Sequence, residues 1–343
     1  MGRKLKWIGA GTALVLFLGA GIGLSALKPL LTVGASYAAK MICSNVFLAD
    51  RDAKDVLEVD VQAPGHPLLK VMRASVNSGK GEVMVSPLGF GWAEGRSVFR
   101  QGYGCTNIPD GVGEPTALPE FASNPPKAQS TELWPAGNMV AGSNNQEAQV
   151  LVDEAMESPG SRAIVVVRNG RIIAESYAEG FNEETRLLGW SMAKTITAML
   201  AGVAVGEGLT DTEESGLVDY WSADERVSIT LESLLRMESG LDFNEGYGSV
   251  SDVTRMLYLE PDMANFTAAK GIAAPMSQTF TYSSGTTNVI SLHLRDRFGE
   301  KAYATSFHDK IFAPIGATSA VIEADAAGTL IGSSYIYATA RDW

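Results

Sequence analysis

Apolar residues follow different patterns in different parts of this chain, and each pattern predicts a different element. After Arg3, Lys4 and Lys6, the stretch Trp7 to Leu27 is continuous and uncharged. A helix of that length spans about 31 Å, near the thickness of a bilayer's hydrocarbon core. Further on, Ala163-Ile164-Val165-Val166-Val167 and Arg171-Ile172-Ile173-Ala174-Glu175-Ser176-Tyr177 flank Arg168-Asn169-Gly170. Asn-Gly between such runs predicts a hairpin, because both residues tolerate positive φ. Helical patterns then predict helices over 191–207, 230–238, 250–259 and 286–299. A hairpin followed by several helices predicts an α+β fold.

The remaining stretches set the organisation. Residues 30–48 are apolar and rich in small side chains, which predicts a helix running from the membrane exit into the folded body. Residues 54–105 read as β-rich, with Val83-Met84-Val85 and Ser97-Val98-Phe99 beside glycine-dense turns. Residues 107–150 carry Pro109, Pro115, Pro119, Pro125, Pro126 and Pro135, which predicts a long irregular connection. Between Ser228 and Leu241, Thr230 reads as an N-cap, Leu231, Leu234 and Leu235 as an apolar face, and Gly240 as a stop. That helix reads as architectural. The chain therefore divides into 1–28, a membrane anchor or signal sequence; 29–150, an exported extension; and 151–343, a core domain.

The basic flank orients the first segment with its N-terminus in the cytoplasm and the body outside, in the periplasm or beyond the cell. A cleaved signal peptide is the competing reading, and it exports the body equally. Cys43 does not read as a lipoprotein site, since Lys40-Met41-Ile42 lacks small residues. Export allows the two cysteines, Cys43 and Cys105, to pair; two buried thiols are the alternative. The net charge of −12 argues against a broad nucleic-acid surface. No H-E-x-x-H, C-x-x-C, EF-hand or phosphate-loop pattern occurs, so neither metal nor cofactor is expected.

Candidate chemistry centres on Ser191-Met192-Ala193-Lys194. Residues three apart share a helix face, so Lys194 can sit beside the Ser191 hydroxyl. A lysine desolvated there loses proton affinity, and its neutral amine can accept the serine proton. The four letters alone are weak: Ser25-Ala26-Leu27-Lys28 fits too, and a helix-capping serine with a solvated lysine explains either copy. Tyr282-Ser283-Ser284-Gly285 follows the extended Thr279-Phe280-Thr281 and precedes a helix start. A tyrosine hydroxyl on such a turn can relay protons; an ordinary turn is the other reading. Trp190, Trp221, Phe243 and Tyr247 are as compatible with core as with a pocket and are left unassigned.

Taken in order, Gly189-Trp190-Ser191-Met192-Ala193-Lys194-Thr195, Ile229-Thr230-Leu231 with Leu234-Leu235-Arg236-Met237-Glu238-Ser239-Gly240-Leu241, and Phe280-Thr281-Tyr282-Ser283-Ser284-Gly285 resemble the serine β-lactamase and penicillin-binding-protein superfamily. The resemblance covers about residues 150 to 343. It points to the class C-like hydrolases that include 6-aminohexanoate-dimer hydrolases and related esterases. Tyr37-Ala38-Ala39-Lys40-Met41-Ile42-Cys43-Ser44 resembles exported members of that branch. The resemblance implies a β-lactamase/transpeptidase-like antiparallel sheet with flanking helices and an all-helical subdomain. It implies Ser191 as nucleophile, Lys194 as its base partner, Tyr282 as proton relay and Ser284 as a substrate-binding residue. Ser284 stands where class C β-lactamases usually carry asparagine, which argues against a true β-lactamase and is compatible with the esterase and amide-hydrolase branch. The implied substrate is a small ester, amide or lactam.

The superfamily's third motif, usually Lys-Thr-Gly, is not found. Thr339-Ala340-Arg341-Asp342 reads as a capping box that opens a helix, yet Trp343 ends the sequence. These features lead to the expectation of a fragment lacking sheet strands beside the 163–177 hairpin and half of the oxyanion hole. Such a chain would be weakly active or inactive, since losing one oxyanion donor costs about 10²–10³ in rate. Two other readings stand beside the hydrolase: a slowly acylating sensor or binding module, and an α/β-hydrolase in which Gly189-Trp190-Ser191-Met192-Ala193 nearly matches G-x-S-x-G. The latter needs His293 or His308.

Overall fold

The computed structural model describes residues 2–120, 131–140 and 145–343, with the backbone alone for residues 2–24 and 26. Helix α1 runs from Gly2 to Ala49. Apolar faces all round a helix suit either a membrane or a protein core. From Leu31 to Leu48 the surroundings are core: Ala35, Ala38, Ala39, Ile42 and Cys43 are fully buried. The anchor expected over Trp7–Leu27 is continuous with this helix in backbone, while its side chains up to Leu24 lie outside the described residues.

The β-rich reading of 54–105 is corrected over its first third. Asp52 caps one turn, α2 (Ala53–Asp55), by accepting the N–H groups of Lys54 at 2.8 Å and Asp55 at 3.1 Å. A π-helical stretch, Val56–Gln62, and a 3₁₀ turn, Pro67–Val71, follow. Asp52 and His66 supply what the sequence pattern hid: local acceptors for exposed amides at the starts of α2 and of the 3₁₀ turn. Val56 and Val61 then bury beside α1. Strands begin only at β1 (Met72–Asn77), and β2 (Glu82–Pro87), β3 (Gly95–Arg100) and β4 (Gly104–Asn107) complete an antiparallel meander. α1 lies across this sheet, and Cys43 and Cys105 form the disulfide that joins α1 to β4.

Helix α3 (Gln146–Met156) packs on the hairpin of β5 (Ala163–Arg168) and β6 (Arg171–Tyr177). Its turn follows the expected chemistry, with φ of 51° at Asn169 and 68° at Gly170. Strand β7 (Arg186–Leu188) leads into α4 (Ala193–Gly206). The helical layer continues with α5 (Leu231–Leu235), α6 (Asp252–Leu259), α7 (Met263–Ala268), α8 (Ser284–Phe298), α9 (Glu300–Phe307) and α10 (Ala313–Ile315). Strands β8 (Val321–Ile322) and β9 (Ile336–Thr339) then form an antiparallel sheet of order β7-β9-β8. The fold is α+β, with antiparallel sheets and helices packed between and around them.

Thr230 does cap α5, in a capping box closed by Ser233. Leu231 and Leu234 are buried beside Leu200, Trp221, Val289 and Leu294, in the core between α4, α5 and α8. The 339–342 capping box is not what Asp342 makes: its carboxylate accepts from the Ser319 N–H at 2.9 Å and hydroxyl at 2.6 Å. Thr339 is the end of β9, so the segment is a turn tied to the β8 side of the sheet.

Residues 29–107 are bonded to the helical domain as well as to each other. Lys40 on α1, 1% exposed, pairs with Glu323, which is fully buried. The Glu323 carboxylate also accepts from the Ser44 hydroxyl at 2.8 Å and the Cys105 N–H at 2.6 Å. Lys40 donates in addition to the Cys105 carbonyl. Burial lowers the pKa of Lys40, and Glu323 acts in the opposite direction.

Candidate active site

Strand β7 turns into α4 through a 3₁₀ turn, Trp190–Met192. Trp190 takes a φ of 45°, an uncommon conformation for a bulky residue. The sharp bend presents Ser191 at the surface directly before the helix. The Trp190 ring is held against Tyr335, centroids 5.9 Å apart.

Lys194 lies on the first turn of α4, with Nζ 3.2 Å from Ser191 Oγ. Its other partners are Ser284 Oγ at 3.1 Å and the Ser333 carbonyl at 3.0 Å. All three are neutral oxygens. The Ser333 carbonyl is placed by α4 itself, because Thr197 Oγ1 donates to the neighbouring Gly332 carbonyl at 2.9 Å. Gly332 permits that approach, since a Cβ there would meet Thr197 Oγ1 at 2.3 Å.

Each residue of Tyr282-Ser283-Ser284-Gly285 has a separate task. Ser283 caps α8 by accepting the Thr286 N–H at 3.0 Å. Gly285 lets α8 close on α7, since a Cβ there would meet Thr267 Oγ1 at 2.4 Å. Ser284 accepts from Lys194 and donates to Glu245 Oε1 at 2.5 Å, while its N–H donates to Glu245 Oε2 at 2.8 Å. Tyr282 presents its ring face to Lys194, with Nζ 4.9 Å from the centroid. Among the described residues its hydroxyl makes no hydrogen bond to Ser191 or Lys194. The structure thus joins Ser191, Lys194 and Ser284 by hydrogen bonds, and Tyr282 by its ring.

Glu245 was not legible as a site residue. It sits in Glu245-Gly246-Tyr247-Gly248-Ser249, a loop with no spacing signal, and only the tertiary fold brings it to Ser284. Tyr247 donates to Glu245 at 3.2 Å, and desolvation followed by the Glu245 charge pushes its phenol up to about 12. Of the four unassigned aromatics, Trp221 and Phe243 are core, whereas Trp190 and Tyr247 line a cavity of about 520 Å³ that reaches Ser191.

Neither histidine serves the serine. His293 is buried in α8, with Nε2 2.8 Å from Thr210 Oγ1. His308 places Nδ1 2.7 Å from Asp309. Burial pushes the His293 imidazole down to about 4, with Arg297 acting in the same direction. The site has the Ser-Lys arrangement rather than Ser-His.

Residues 149–342 match the protein family described as Beta-lactamase. Among solved structures, a putative 6-aminohexanoate-dimer hydrolase from Bacillus anthracis is similar at 22% identity, covering 56% of this chain and 54% of its own, with a TM-score of 0.49. A penicillin binding protein from Bacillus halodurans is 17% identical over 56% of this chain and 71% of its own, TM-score 0.46. A beta-lactamase/D-alanine carboxypeptidase from Yersinia pestis is 17% identical over 58% and 67%, TM-score 0.46. The aligned part thus spans 54% of the first of these proteins' own length. No curated protein matches the sequence.

Proposed function

The chain belongs to the Beta-lactamase family, and from that premise we propose that it is a serine hydrolase cleaving an ester or amide through a Ser191 acyl-enzyme. The observation that carries this reading is the 3.2 Å approach of Lys194 Nζ to Ser191 Oγ, with no carboxylate bonded directly to the lysine.

The neutral Lys194 amine accepts the Ser191 proton as Oγ attacks the substrate carbonyl. The C–O bond to Ser191 forms, and the carbonyl oxygen carries the negative charge. The Ser191 N–H, at the entrance to α4, is one donor for that charge. Collapse breaks the bond to the leaving group, which takes a proton from Lys194 directly or through the Tyr282 hydroxyl. A water then attacks the acyl carbonyl by the same steps reversed, releasing the acid and restoring the serine. Ser284 links Lys194 to Glu245, so it holds the ammonium formed in the first step while keeping the carboxylate one hydroxyl away. Tyr282 acts as the relay only if its ring rotates to bring the hydroxyl over; as placed, its ring face stabilises the cation.

A small ester, amide or lactam is the proposed substrate, and Ser284 its proposed contact. Residues 1–28 are the proposed anchor or signal sequence, with 29–150 and 151–343 outside the inner membrane.

The test is covalent labelling with a serine-directed phosphonate, followed by turnover of an ester panel. Ser191→Ala should abolish labelling. Retained labelling at another serine would reject the assignment, and stoichiometric labelling without any turnover would support the slowly acylating module instead.

A further inference from the structure

The cavity that reaches Ser191 is walled on one side by the N-terminal helix. Leu30, Val33 and Gly34 of α1 line it together with Leu68, Leu69 and Met72, and Trp190, Tyr247 and Tyr258 line it beside Ser191. Gly34 lets α1 pack directly on this wall at the edge of the cavity, since a Cβ there would stand 3.1 Å from both Leu69 and Met72.

Polar side chains on this wall are turned back to their own backbone. His66 Nδ1 accepts the Leu68 N–H at 3.2 Å. Thr254 Oγ1 donates to the Ser249 carbonyl at 2.8 Å. With those groups engaged, the surface offered to a ligand is mainly hydrocarbon. The volume of about 520 Å³ falls within the usual range for small-molecule sites. A polar substrate arm would lose its water there without compensation. A hydrocarbon arm gains affinity with each methylene buried.

We propose that this slot binds an unbranched alkyl chain of the substrate, so that the enzyme acts on esters or amides carrying a fatty acyl or alkyl arm. The inference rests on the Ser191 reading for the reaction, but not for the binding. Residues 30–72 are then part of the substrate site, and α1 is a specificity element beside the nucleophile as well as a core helix.

Binding and chemistry separate in one experiment. N-methyl alkanamides from butanamide to dodecanamide are titrated by calorimetry into the purified full chain carrying Ser191→Ala in lipid nanodiscs, with empty nanodiscs as the blank. Affinity should rise about fourfold per methylene until the slot is filled. Gly34→Leu, which pushes a side chain against Leu69 and Met72, should stop the rise at a shorter chain than in the Gly34 protein. Leu68→Gln, which alters polarity at nearly constant volume, should reduce the slope and covers the case in which Gly34→Leu fails to fold. An affinity independent of chain length, or a slope untouched by both variants, would overturn the proposal. Chain-length-dependent binding together with failed Ser191 labelling supports the slot and rejects the hydrolase reading alone.

Discussion

Lys40 is fully buried and Lys194 half-buried, and the two lysines meet partners of opposite kinds. Lys40 is bonded directly to the buried Glu323 carboxylate, and Ser44 and the Cys105 N–H complete the arrangement. Among the described residues Lys194 meets three neutral oxygens, and Ser284 Oγ links it to the Glu245 carboxylate. Burial lowers the pKa of Lys40, and the Glu323 carboxylate opposes that by favouring the charged form. Lys194, held by two hydroxyls and a carbonyl, is fixed in position with no counter-charge bonded to it. If Lys194 is the base proposed above, what sets it apart from Lys40 is the identity of the first partner rather than burial.

The largest effect should come from Lys194. Lys194→Ala removes the proposed proton acceptor for Ser191, and acylation by a phosphonate should slow by about 10²–10⁴. The melting temperature should change little, since the side chain is only half-buried and meets neutral groups. Labelling at near wild-type rate would break the contrast between the two lysines.

Lys40→Met should act in the reverse sense. It leaves Glu323 buried and uncompensated, at a cost of about 3–5 kcal/mol. Lys40→Met combined with Glu323→Leu should recover most of that loss in urea denaturation, because the pair as a whole costs desolvation. A double variant no better than the single one would show that Ser44 and Cys105 depend on the carboxylate as much as Lys40 does.

His293 supplies a third buried base, one kept neutral. Its folded pKa of about 4 lies below its ordinary value of 6.5. Between those values the unfolded chain binds a proton that the folded chain refuses, so stability falls as pH drops from about 6.5 to 4. The loss from this group is about 3 kcal/mol at the acid end. His293→Gln should flatten that part of a pH–stability profile and leave phosphonate labelling intact. Lost labelling in a folded His293→Gln protein would revive the Ser-His reading.

What could be read from the sequence follows the range of the interactions involved. The Asn169-Gly170 hairpin and the Thr230 cap were legible because both are settled by neighbours in the chain. Residues 54–71 were not, because Asp52 and His66 caps look like loop residues until their amides are seen. The apolar run 30–48 predicted a helix correctly, but its role depends on what surrounds it, and sheet β1–β4 with α6 surrounds it. Ser191 and Lys194 were legible through their spacing. Ser25 and Lys28 share that spacing, yet Lys28 is exposed on α1. The difference lies in Ser284, Ser333 and Glu245, which sequence distance conceals.

Glu245→Gln gives the smallest expected effect and sharpens the comparison most. Glutamine keeps one carbonyl oxygen, so it can still accept from either the Ser284 hydroxyl or its N–H, while its amide group cannot take the other. Loss of one such bond costs about 1 kcal/mol. Phosphonate acylation should therefore slow about fivefold, with stability nearly unchanged. A drop approaching that of Lys194→Ala would mean that the carboxylate, acting through Ser284, fixes the lysine almost as firmly as Glu323 fixes Lys40. An unchanged rate would mean that the Ser284 hydroxyl alone holds Lys194, and that the two lysines differ more completely than their distances suggest.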